Sequence, residues 1–242
     1  MRLLELASHI MIAEGGNIFK DAEGKPLTDR INKADIAPTI KWMEQITGLP
    51  LLSNTLGSVG KKESSGDLDI AVDQNVINKD DLVAKLSAWA KRAGEDPKNG
   101  FVQTDFMFGD DIEHMKFGLF AAGDVSKFSG ADRNLLMSSI AKSLPGDYKY
   151  SWQKGLISRS TGELITKNPD LIAQTLLGGK QYTRKDLDSV ESIMAVIKSK
   201  PDRLNALTAL AAKLLDTEGK KPGDIRVDAE EADRIHRILG TK

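Results

Sequence analysis

The chain has 242 residues, 40% apolar and 29% charged, enough for one large domain or two small ones around a packed core. Its net charge of −1 gives no whole-chain mark of tight nucleic-acid binding. The absence of cysteine excludes disulfides, thiolate zinc sites and a cysteine nucleophile, and it fits a reducing cytoplasm.

MRLLELASHIMIAEGG (1–16) predicts an amphipathic helix ended by Gly15 and Gly16. Glu5, His9 and Glu14 break its apolar run, which is too short and too polar for a signal peptide or a membrane span, so no membrane association is expected. After the turn-rich FKDAEGKPLTDRIN, ADIAPTIKWMEQITG predicts a helix with Asp35 as N-cap, Pro38 in the first turn and Gly48 at the end. LLSNTL (51–56) reads as a short strand. DLDIAVD (67–73) reads as a second, with Leu68, Ile70 and Val72 on one face and Asp67 and Asp69 on the other.

NKDDLVAKLSAWAKRAG predicts a helix capped by Asn78, and GFVQTDFMFGD (100–110) a third strand. The remainder reads as helical: ADRNLLMSSIAKSL, TRKDLDSVESIMAVIKSK, PDRLNALTALAAKLLD and DAEEADRIHRILG all space apolar residues at helical intervals. The expected class is α+β, a small mixed sheet flanked by helices followed by a helical C-terminal region. Pro145-Gly146 sets the expected boundary between domains 1–144 and 145–242. The first part carries 17 Lys/Arg and 21 Asp/Glu, the second 17 and 14.

LGSVGKKESSGDLDIAVD (56–73) concentrates the chemistry. Gly60-Lys61 is not a Walker loop: Thr55 stands where the first glycine belongs, Lys62 follows the lysine, and a strand comes next instead of a helix. Asp67 and Asp69, at i and i+2 of a strand, face one side about 6.6 Å apart along the chain. Carboxylates so placed suit a pair of divalent ions about 4 Å apart, and their hard oxygens suit Mg²⁺. Gly57 lets backbone approach a phosphate, and Ser58 offers it a hydroxyl and an N–H. Lys61 and Lys62 fit a solvated loop as well as a contact to a triphosphate, and Ser65 fits a tight turn as well as a phosphate contact.

Leu56-Gly57-Ser58, a gap of eight residues, then Asp67-Leu68-Asp69-Ile70 resembles the signature of the nucleotidyltransferase superfamily, the fold of DNA polymerase beta. The resemblance covers roughly residues 35–110, and GGNIF (15–19) together with the SGDLDIAVD run is similar to members encoded by bacteriophages. It implies that Asp67 and Asp69, with a third carboxylate on a later strand, hold Mg²⁺ or Mn²⁺, and that the third carboxylate helps activate the acceptor. Asp105 in VQTDFMF is the natural third acid, with Asp110 and Asp111 as fallbacks. The implied reaction moves a nucleoside monophosphate from an NTP such as ATP to a hydroxyl. An RNA or DNA 3′ end is slightly favoured over a small molecule or a protein side chain, and a non-catalytic nucleotide-binding module is the alternative. Arg133, early in the helix 131–144, is a further candidate for the nucleotide. His9, His114 and His236 have no mutual ligand spacing and are expected to be structural or superficial, as are Trp152 and Arg159.

Overall fold

A computed structural model describes residues 21–25, 28–93, 102–120 and 126–241. The helix expected over 1–16 lies outside them. The described chain is α+β and falls into two compact units, Met1–Lys116 and Phe117–Lys242. None of the described helices is long and apolar enough to cross a membrane.

The first unit begins with β1 (Ile31–Asn32), which pairs antiparallel with β2 (Ser64–Ser65). Between them lies α1 (Lys33–Thr47). It starts two residues before the expected cap. The Lys33 amide donates to the Glu63 carbonyl at 2.9 Å, so strand pairing and not a side-chain cap sets the entry. Pro38 therefore sits in the helix interior and not in the first turn. Gly48 ends the helix as expected, at φ 75°, its amide donating to the Glu44 carbonyl.

The strand expected over 51–56 is mostly a 3₁₀ turn, Leu52–Asn54. Its short polar side chains bond locally: Ser53 Oγ donates to the Pro50 carbonyl and Thr55 Oγ1 to the Leu52 carbonyl. Only its end keeps strand character, with Thr55 bridging antiparallel to Ile70. β3 (Asp67–Asp73) runs parallel to β4 (Gln103–Gly109), and α2 (Lys79–Ala93) makes the crossover. Asn78 caps α2, its Oδ1 accepting from the Asp81 amide. Leu68, Ile70 and Val72 of β3 are buried against Ile36, Ile40, Leu51 and Phe106, which fixes the strand's orientation. The short helix α3 (Ile112–Gly118) follows β4.

The second unit opens with α4 (Gly130–Ser143), started by a reciprocal cap between Ser129 and Asp132. Three antiparallel strands follow in the order β5 (Tyr148–Ser151), β6 (Gly155–Ser158) and β7 (Leu164–Thr166). Then come α5 (Pro169–Leu177), a 3₁₀ turn, α6 (Val190–Lys198), α7 (Pro201–Leu214) and α8 (Pro222–Leu239). The C-terminal region is mostly helical, as expected; the sequence reading named no strand in it, because strands of three or four residues are too short to show period-2 alternation.

The expected boundary at 144/145 is also displaced. Leu136, Met137 and Ile140 of α4 are fully buried among Ile172, Leu176, Ile193 and Leu207, so α4 belongs to the second core. Asp132 accepts from Arg234 at 2.8 Å and Arg237 at 2.7 Å, tying the start of α4 to α8.

Candidate metal centre

The parallel register sets Asp69 beside Asp105 and Asp67 beside Gln103. Register partners in neighbouring strands project to the same face, so the three acids converge. Asp67, Asp69 and Asp105 each offer a carboxylate oxygen, and those oxygens all lie within 4.8 Å of one another. The opposite face of β3 carries Leu68, Ile70 and Val72 into the core, which is why the acids cannot turn inward. All three acids are half-buried.

This crowding has an electrostatic cost. Burial first, then the charges of Asp67 and Asp105, push the Asp69 carboxyl from 3.8 up to about 7. Burial also raises Asp105, and the charge of Asp67 adds to it. A hydrogen bond from Gln103 acts the other way. Gln103 is 1% exposed, and its Nε2 donates to both carboxylate oxygens of Asp105, at 3.1 and 2.9 Å. Sequence analysis gave Gln103 no role. The signal was there: an amide at i−2 of the acid faces the same way.

Three oxygen donors with unrelieved like charge suit a hard divalent cation. Given bonds of about 2.1 Å, adjacent ligands of octahedral Mg²⁺ stand about 3.0 Å apart and opposite ones about 4.2 Å, so oxygens within 4.8 Å of one another would draw together around a shared ion. The donor set fits Mg²⁺ or Mn²⁺.

Among the other expected residues, Gly57 has φ 58°, a left-handed conformation that favours glycine. The preceding Leu56 amide donates to the Asp69 carbonyl at 2.9 Å, which fastens the Gly57-Ser58 turn to the strand that carries two of the acids. Val59 N–H to the Leu56 carbonyl and Lys61 N–H to the Ser58 carbonyl continue it as consecutive turns. Lys61 is half-buried and Lys62 exposed. Ser65 is not in a tight turn: it is buried in β2, opposite Ile31, and its Oγ has no hydrogen-bond partner.

Arg133 requires a correction. It is 2% exposed within the second unit. Its Nε and Nη1 donate to the carbonyls of Leu187 and Phe117, and its guanidinium lies over the Phe117 ring. The phase of α4, set by its cap, turns this side chain into the protein interior, and a nucleotide contact is not available to it. Asp73 accepts from the Asn75 amide as a turn residue, and Asp111 accepts from the His114 amide at the start of α3.

Comparison of the chain with protein-family models, with curated proteins and with solved structures found no match.

Proposed function

We propose that this protein is a cytoplasmic, metal-dependent nucleotidyltransferase. The observation that carries the reading is the convergence of Asp67, Asp69 and Asp105 from two adjacent parallel strands. The glycine turn fastened to β3 at Asp69 supports it. Mg²⁺ or Mn²⁺, when bound, supplies Lewis-acid activation of the attacking hydroxyl and charge neutralisation on the triphosphate. Asp67, Asp69 and Asp105 would hold the metal. Asp105, steadied by Gln103, takes the proton of the acceptor hydroxyl. The acceptor oxygen bonds to the α-phosphorus as the bond from that phosphorus to the β-phosphate bridge breaks, and pyrophosphate leaves with the electron pair. Ser58 and the lysines at 61 and 62 orient the triphosphate. A nucleic acid 3′ end is the favoured acceptor, in keeping with the modest basic balance of residues 145–242.

Calorimetric titration with Mn²⁺ and each NTP tests the reading. The expected result is metal-dependent NTP binding that is lost in Asp67→Asn and Asp69→Asn. Binding unchanged in both variants would remove the metal centre from the mechanism.

A further inference from the structure

Independently of the metal centre, the second unit carries an open cleft of about 780 Å³. Leu144, Pro145, Ile165 and Leu171 give it an aliphatic wall. Among the described residues that line it, Lys180 and Arg203 are charged and none is acidic. The cleft borders β7, the outermost strand of its sheet, and the surface there is apolar: Leu164 is 56%, Ile165 47% and Leu171 49% exposed.

Arg203 is set up without an acceptor. The Leu177 and Gly178 carbonyls at the end of α5 accept from Lys200 Nζ, at 2.8 and 2.9 Å. The Nη1 of Arg203 is buried and has no hydrogen-bond partner. Its Nη2 lies where a side chain at Gly178 would collide, since a Cβ there would stand 2.6 Å away. A guanidinium beside an apolar wall, in a cleft whose lining holds Lys180 and no acid, is complementary to a carboxylate or phosphate. The exposed apolar surface calls for more than a bare anion, and a free strand edge offers main-chain hydrogen bonds to an extended chain. The wall is aliphatic, and the one aromatic ring in it, Tyr148, is packed against Gly146 and the core. That favours a peptide over a stacked base.

We propose that an extended acidic peptide of a partner protein lies along β7, with an apolar side chain against Leu144, Pro145, Ile165 and Leu171 and a carboxylate on Arg203 and Lys180. The test is fluorescence anisotropy of the full chain with a labelled octapeptide of alternating leucine and glutamate. Leucine/lysine and serine/glutamate octapeptides and an eight-nucleotide oligouridylate serve as comparators. The leucine/glutamate peptide is expected to bind at least about tenfold more tightly than each of the others. Arg203→Met, Lys180→Met and Ile165→Glu are each expected to weaken it by about tenfold. Lys180 is exposed, so Lys180→Met keeps the test decisive if Arg203→Met fails to fold. Several results would overturn the proposal: no binding, equal binding of the lysine or serine peptide, tighter binding of the oligouridylate, or indifference to Lys180→Met. So would concentration-dependent dimerisation abolished by Ile165→Glu, which would make the occupant a second copy of this chain.

Discussion

Asp69 carries the sharpest consequences. Its folded pKa, about 7, lies above its ordinary 3.8, so the folded protein holds that proton more tightly than the unfolded chain does. The stability this contributes is fully present below pH 3.8 and is lost as pH rises towards 7. Asp69→Asn should therefore stabilise the metal-free protein at pH 8 by about 1–2 kcal/mol, well under the roughly 4 kcal/mol that the full shift would give at ~1.4 kcal/mol per unit, because solvent reaches the site. The gain should vanish near pH 4, as thermal melts at the two pH values would show. Metal must displace the same proton, so Mn²⁺ affinity of the wild type should rise about tenfold per pH unit below 7 and level off above it. Gln103 adds a second test. Replacing it with Met removes the bonds that steady Asp105, and Mn²⁺ affinity should fall about 10–100-fold while the fold persists, measured by titration and circular dichroism. Asp67 and Asp69 were legible in the sequence because two acids at i and i+2 of an apolar strand leave one face. Arg133 was not, because its orientation depends on the phase of α4, which the Ser129–Asp132 cap fixes and spacing does not.

At the scale of elements, the legible ones repeat a period or carry a cap. α2 with Asn78, and α1 with Gly48, end where their capping residues stand. β3 and β4 are seven residues each, long enough to alternate. The elements that escaped are short or held by tertiary contacts: the strands β5 to β7, and the 3₁₀ turn in LLSNTL, where Ser53 and Thr55 satisfy nearby carbonyls. The start of α4 makes a measurable prediction. Burial alone would raise Asp132, but hydrogen bonds from Arg234 and Ser129 and the Arg234 charge outweigh it and hold the carboxyl below its usual range. Its contribution is present at neutral pH and lost as pH falls through that lowered value. Asp132→Ala should cost about 2 kcal/mol at pH 7, most of it from the cap because the arginines are partly solvated. The cost should shrink in acid, as urea denaturation at pH 7 and pH 3 would reveal.

For the molecule as a whole, two cores replace the boundary that Pro145-Gly146 suggested. A proline-glycine pair marks a turn whether or not a domain ends there, and here it joins α4 to β5 inside one core. Ile140 sits in that core at 1% exposure. Ile140→Ala should cost about 3 kcal/mol. Hydrogen exchange should show the lost protection in residues 117–242, while Mn²⁺ still protects the amides of β3 and β4.

The account's central claim is that Asp67, Asp69 and Asp105 serve nucleotidyl transfer. The most direct measurement incubates the wild type and Asp69→Asn with α-labelled and γ-labelled NTPs, Mg²⁺ and a cell extract. The account predicts that the wild type transfers the α-label and not the γ-label to RNA, DNA or another acceptor, and that Asp69→Asn loses at least about a thousandfold in rate. Transfer of the γ-label, no transfer of either label, or α-label transfer undiminished in Asp69→Asn would contradict it.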